Sequence, residues 1–120
     1  MTLSPYLRRL RDRIGHELVL LPSVAVMVLD EARRVLLVRA LDTGSWQTVG
    51  GAIDPDETPA DAAVREAWEE TGLLVEPTGV IGVYGGPEFR LVYPNGDVCS
   101  YCALSFAARV VGGRARADHV

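Results

Sequence analysis

Two stretches of the chain carry apolar positions at helical spacing. Ser4-Pro5 joins an N-cap residue to a proline at the first helical position, and Leu7, Leu10 and Ile14 then recur three and four apart before Gly15. This predicts a short amphipathic helix from Ser4 to Ile14, with Arg8, Arg9, Arg11 and Arg13 on a solvated face. Thr58-Pro59-Ala60-Asp61 repeats the start signal with an acid placed to complete a cap, and Gly72 supplies a stop, so a second helix is expected to about Thr71. On that helix Ala60, Val64, Ala67, Trp68 and Thr71 fall on one stripe, and Glu66, Glu69 and Glu70 fall opposite it.

The remaining apolar runs read as strands. Val24 to Leu29 is apolar throughout, which suits a strand buried on both faces, and Asp30 to Arg34 turns the chain into a second such run, Val35 to Val38. Leu73 to Val75 and Val80 to Tyr84 precede a Gly85-Gly86-Pro87 break. Phe89 to Tyr93 and Asp97 to Cys102 then flank Pro94-Asn95-Gly96, a strong hairpin signal. Helices and strands are interspersed, so the fold class is α/β with a mixed, largely buried sheet. At 120 residues the chain makes one domain: residues 1–21 the helix and lead-in, 22–111 the core, and 112–120 a polar tail.

Charge changes this picture by its position. The net charge is −4, but the segment from Asp54 to Glu70 alone carries seven acids and one base, leaving the rest of the chain slightly basic. A nucleic-acid surface would show the opposite sign, so nucleic acid is an unlikely partner. All 12 basic residues are arginines, which excludes lysine Schiff bases and lysine-dependent phosphate loops. Glu17, Pro22 and Ser23 interrupt the apolar stretch near the start, so neither a signal peptide nor a membrane span is expected. Cys99 and Cys102 have the spacing of half a zinc or redox site. Without a second pair they read as reduced, buried structural thiols, in keeping with a cytoplasmic location.

Three glutamates sharing one helix face repel one another and raise one another's pKa values unless a cation joins them. A hard divalent ion such as Mg²⁺ prefers oxygen ligands and bridges carboxylates to phosphates, whereas zinc would call for His or Cys nearby. A solvated acidic helix with Arg65 as local partner is the alternative. What precedes the helix favours the metal. Gly50-Gly51 lets the backbone approach a ligand, and Asp54-Pro55-Asp56-Glu57 delivers the chain to the helix start.

The whole segment runs Gly51, five residues, Glu57, seven residues, Arg65-Glu66-Ala67, one residue, Glu69-Glu70, one residue, Gly72-Leu73. It resembles the Nudix box, with every defined position filled over 23 residues, and the strand order from about Pro22 to Val111 also looks like a Nudix domain. The resemblance implies an α/β/α sandwich around a mixed sheet, here expected to lack part of the C-terminal strand and helix. It implies a pyrophosphohydrolase that cleaves a nucleoside diphosphate linked to another moiety, such as ADP-ribose, a nucleotide sugar or a nucleoside triphosphate, with Mg²⁺ or Mn²⁺. Carried over by position, Glu66, Glu69 and Glu70 hold metal or orient the attacking water, with Glu66 or Glu69 as base. A carbonyl of Gly50 or Gly51 adds a metal ligand, and Glu57 with Arg65 forms the ion pair joining loop to helix. Relatives of this kind often dimerise, and the Ser4–Ile14 helix is the docking element expected for a homodimer.

The chain departs from the family in two places. Val49 stands where many members have Pro, and Gly113-Arg114 stands near where several carry a later carboxylate, leaving Asp118 or Glu88 as candidates. For substrate, Trp46, Tyr84 and Phe89 are candidate stacking surfaces and Arg39 or Arg90 candidate phosphate contacts. A Nudix-fold module that binds or senses a nucleotide without cleaving it is the rival reading. A Nudix-fold isomerase is disfavoured because those enzymes rely on a cysteine and do not keep the box intact.

Overall fold

The computed structural model describes residues 3–41 and 44–116. Along the chain run α1 (Pro5–Ile14), β1 (Val19–Leu29), β2 (Val38–Arg39), β3 (Trp46–Gln47), β4 (Val49–Ala52), α2 (Pro59–Thr71), β5 (Leu73–Tyr84), a 3₁₀ turn (Pro87–Phe89), β6 (Arg90–Val92) and β7 (Val98–Gly113). Both helices begin as their sequences predict. The Ser4 side chain accepts from the Leu7 amide at 3.2 Å, and the Thr58 hydroxyl accepts from the Asp61 amide at 3.2 Å. Both end on glycine with positive φ, Gly15 and Gly72.

The main sheet has the order β4-β1-β7-β5, with β6 also on β7. At its centre β1 and β7 pair in parallel from Val19↔Cys99 to Leu29↔Arg109, and every other pairing in this sheet is antiparallel. Val24, Val26 and Val28 of β1 meet Val49, Val75, Phe106 and Ala108 from neighbouring strands and Ala62, Ala63 and Ala67 of α2. The small residues of α2 let it lie close on the sheet. Leu21 and Cys99 face the other way by strand alternation and pack with Leu7 of α1 and Ala52. The two helices therefore cover opposite faces of a mixed sheet, an α/β/α layering.

Several expectations are corrected. Val24 to Leu29 alternates between buried and half-buried because α1 covers only one end of the second face. Val35 to Val38 is not a buried strand: Val35 makes one isolated bridge to Leu29, and Val38–Arg39 joins a separate two-stranded ribbon with Trp46–Gln47. The two runs after α2 are one strand, β5, which absorbs Pro77 and its glycines through three register shifts against β7. Phe89 belongs to the 3₁₀ turn and not to β6, and β7 continues through Gly113 into the expected tail. Cys99 is buried but Cys102 is exposed, as alternation along one strand requires; both are free thiols. No helix among the described residues is long and apolar enough to cross a membrane.

Nor are the arginines of α1 uniformly solvated. The Arg11 side chain is 11% exposed, and it donates to the carbonyls of Gly15, Glu17 and Val98 at 2.7–2.9 Å and to the Cys99 sulfur at 3.3 Å. Asp97, in the hairpin between β6 and β7, lies 3.6 Å from Arg11 Nε and 2.8 Å from His16 Nδ1. On the same helix Leu7 packs within the chain, against Leu21 and Cys99.

The bond to His16, then those to Asn95 and the Arg11 charge, hold the Asp97 carboxyl below its ordinary value. A carboxyl depressed in the folded state adds stability above its unfolded pKa, near 4, and loses it as pH falls through the folded value. Asp97→Asn should therefore lower the urea midpoint at pH 7, with the gap to the parent chain closing progressively below about pH 4.

Candidate functional site

The Asp54–Glu57 turn and the first turns of α2 meet at one guanidinium. Arg65 Nε and Nη2 donate to the two oxygens of Glu57 at 2.6 and 2.9 Å, a fork-to-fork pair. Nη2 also donates to the Ala52 carbonyl at 3.0 Å, and Nη1 donates to Glu66 at 2.8 Å and Glu69 at 3.2 Å. Asp54 stands 3.7 Å away and its amide donates to Glu57 at 3.1 Å, closing the loop onto the helix start. The Arg65 hydrogen bond is the main reason the Glu57 carboxyl titrates below its ordinary value.

Behind Arg65 two carboxyls are drawn inward. Glu66 is 7% exposed and lies against β4. A methyl added at Gly51 would strike the Glu66 carboxyl, so glycine leaves room for this carboxyl where it stands. Glu70 accepts from the Gly50 amide at 3.2 Å. Burial raises the Glu66 carboxyl despite Arg65, and burial followed by the Glu66 charge pushes Glu70 up to about 7. Glu69 stays exposed at the side of Arg65.

This placement corrects the expected helix stripe. Ala62, Ala63, Glu66, Ala67 and Thr71 form the buried side of α2, whereas Ala60 is exposed and Trp68 is 46% exposed. The inward stripe is rotated so that Glu66 sits on its margin, because the Gly50-Gly51 step of β4 leaves a hollow into which a carboxylate fits. Trp68 points out and lies under the Arg116 guanidinium, 5.4 Å from ring centroid to Cζ.

Buried Glu66 and half-buried Glu70 are both raised by burial and by neighbouring carboxylates, and with exposed Glu69 beside them they form a hard oxygen donor set suited to a divalent cation. Among the described residues, however, no three acidic, His or Cys side chains already converge on a metal position. Arg65 holds Glu66 and Glu69, so a cation bridging them would have to share or displace its Nη1 contacts.

The substrate candidates form two separate pairs. Arg39 and Trp46 are register partners in the β2–β3 ribbon, with the guanidinium 5.8 Å from the ring centroid, and Arg39 Nε also donates to Gly44 at 3.2 Å. Tyr84, ending β5, and Phe89, in the 3₁₀ turn, have ring centroids 6.0 Å apart. Arg90 and Glu88 are exposed in the same neighbourhood, and Asp118 lies outside the described residues. The sequence reading missed the Ala52 carbonyl and Asp54 as partners of Arg65; a carbonyl leaves no mark in side-chain spacing.

The family model for the NUDIX domain matches residues 19–119. The chain belongs to the Nudix family. Relatives of Nudix type agree with it in part. It is 47% identical over 62 residues to a MutT-like protein of Streptomyces ambofaciens, covering 52% of this chain and 40% of that one. It is 33% identical over 111 residues to an ADP-ribose pyrophosphatase of Methanocaldococcus jannaschii, covering 89% of this chain and 62% of that one. The crystal structure of the MutT protein from Methanosarcina mazei Go1 superposes with a TM-score of 0.65 at 25% identity, covering 87% of this chain and 75% of that one. The chain thus spans between 40% and 62% of the length of these two curated relatives. Nudix proteins generally use divalent metal ions.

Gly51 and Gly79 make a matched test of the Nudix loop. A methyl at Gly79 meets nothing within 4 Å, while one at Gly51 strikes the Glu66 carboxyl. Gly79→Ala should leave the unfolding midpoint unchanged or slightly raised, and Gly51→Ala should cost about 1–3 kcal/mol in denaturant titrations.

Proposed function

We propose that this Nudix domain, with residues 1–120 acting as one unit, is a metal-dependent pyrophosphohydrolase acting on a small-molecule nucleoside diphosphate derivative. The carrying observation is the arrangement around Arg65. One guanidinium ties loop to helix through Glu57 and Ala52 and at the same time sets Glu66 and Glu69 side by side, with Glu70 behind them. Glu66, Glu69 and Glu70, with a Gly50 or Gly51 carbonyl, would hold Mg²⁺ or Mn²⁺. When bound, the metal supplies charge neutralisation at the diphosphate and a more acidic water.

The chain's own residues supply orientation and proton acceptance. Water attacks one phosphorus, a new P–O bond forms and the bridging P–O–P bond breaks. The proton leaving the water passes to a glutamate, Glu66 or Glu69, and the departing phosphate carries the electron pair of the broken bond. Arg65 and Glu57 are positioning residues, keeping the glutamates in register with the loop. Arg39 with Trp46, and Tyr84 with Phe89, offer stacking faces and a bidentate cation for the nucleotide. ADP-ribose, a nucleotide sugar and a noncanonical nucleoside triphosphate are the substrate classes to screen, the first because a relative covering 89% of this chain bears that name. Free thiols at Cys99 and Cys102 fit a reducing, cytoplasmic setting.

A second reading is a module that binds a nucleotide without turnover. It draws on Gly113-Arg114, a step after the box that carries a cation and no carboxylate.

The test is release of nucleoside monophosphate or phosphate from this substrate panel with Mg²⁺ or Mn²⁺ and with EDTA. Turnover should require the metal, and Glu66→Gln and Glu69→Gln should each lower kcat on the order of 10²-fold or more. Unchanged turnover in Glu69→Gln would remove that residue from the mechanism, and saturable nucleotide binding with no product would favour the binding module.

A further inference from the structure

One long edge of the main sheet is open. Among the described residues β5 pairs with β7 alone, so its outer row of backbone amides and carbonyls has no strand beside it. Leu73 and Val75 pack with the α2 core, but Val80, Ile81, Val83 and Tyr84 are 48–65% exposed. Folded chains blunt such edges with charged side chains, and none stands between Pro77 and Pro87.

The edge is complementary to itself. In register with β7, Val80 and Val83 stand against Phe106 and Leu104 on the α2 face, and Gly79, Gly82 and Tyr84 stand against Ala107, Ser105 and Ala103 on the other. An antiparallel copy turned about a two-fold axis at Gly82 sets Val80 beside Val83 of the second copy and Tyr84 beside its Gly79, with Ile81 set aside as it is in the pairing with β7. A methyl built at Gly79 meets nothing within 4 Å, so there is room for the ring. Large side chain thus meets small, and β-branched meets β-branched. The ends agree in charge as well. Exposed Glu76 stands against Arg109 and exposed Arg90 against Ser100, on either side of Gly82 and nearly equally far along β7. The same axis brings each Glu76 to the Arg90 of the other copy.

We propose that this chain forms a symmetric dimer through β5, strand against antiparallel strand, with the two-fold axis at Gly82. A second copy answers both the uncharged middle of the edge and the opposite charges at its ends, which a strand of unrelated sequence has no reason to do. One strand pair is at the small end of specific interfaces, so the dimer is weak and forms at micromolar concentrations and above. It uses none of Glu57, Arg65, Glu66, Glu69 or Glu70 and stands independently of the hydrolase reading.

The test is sedimentation velocity on the full chain from about 1 µM to about 300 µM, the range in which so small an interface associates. The mass should rise from monomer to dimer and stop there. Val83→Lys, at an exposed position, should weaken association at least tenfold while circular dichroism shows the fold kept. Glu76→Arg and Arg90→Glu should each weaken it at least threefold alone, because each sets like charges together at both ends of the pair. Mixed one to one, the two charge variants should associate as tightly as the parent chain, since every end then joins Glu to Arg. A monomer mass at all concentrations, association undiminished in Val83→Lys, or a mixture no tighter than either charge variant alone would each overturn the proposal. If Val83→Lys does not fold, the mixture decides it.

Discussion

The arrangement of this molecule depends on one guanidinium in a crowded place. Arg65 serves two carboxylates of α2, both oxygens of Glu57 and a backbone carbonyl at the end of β4. Lysine could not substitute, because a single ammonium cannot present a planar fork to Glu57 while reaching Ala52 and Glu66 in other directions. The contact therefore couples three elements: the strand end, the acidic loop and the helix. Its partial burial matters as much as its geometry, since a fully exposed pair of this kind would add little.

Glycine on β4 and alanine on α2 answer the same constraint from two sides. Ala62, Ala63 and Ala67 are fully buried, which brings the helix backbone close to the sheet. At that closeness a carboxylate can reach β4 only where the strand lacks a side chain, and Gly51 provides the gap. The acidic cluster is thus held by packing as well as by charge. Repulsion between Glu66 and Glu70 is offset by the Arg65 guanidinium on the first and the Gly50 amide on the second, a cost of the sort that functional sites carry and other contacts balance.

Legibility in the sequence followed the range of the interactions. Helix caps at Ser4 and Thr58, the glycine stops and the Asn95-Gly96 turn are local, and each stands where its signal lay. The spacing of the box was equally plain, since it is a covalent ruler. The orientation of α2 was misread because hydrophobicity alone assigns Trp68 inward and Glu66 outward. What reverses them is a hollow made by glycines on a different strand. Arg11 was misread for the same reason: its partners, Val98, Cys99 and Asp97, lie more than 80 residues away, and no window along the chain contains them. The Val35 to Val38 run shows the converse, where an apolar stretch promised a strand in the main sheet and yields one isolated bridge and a two-residue ribbon with Trp46–Gln47.

The parallel pairing of β1 with β7 has a consequence for how the molecule comes into being. Every rung of that ladder joins residues 80 apart, from Val19 with Cys99 to Leu29 with Arg109. Bringing such distant segments together is entropically slow compared with closing a helix or a hairpin. On the ribosome, β1 and α2 emerge well before their central partner exists, so the apolar faces of Val24, Val26 and Val28 wait uncovered until β7 arrives. During that interval the chain is open to mispairing and to chaperones. The core beneath the acidic helix can close only after β7 has been made.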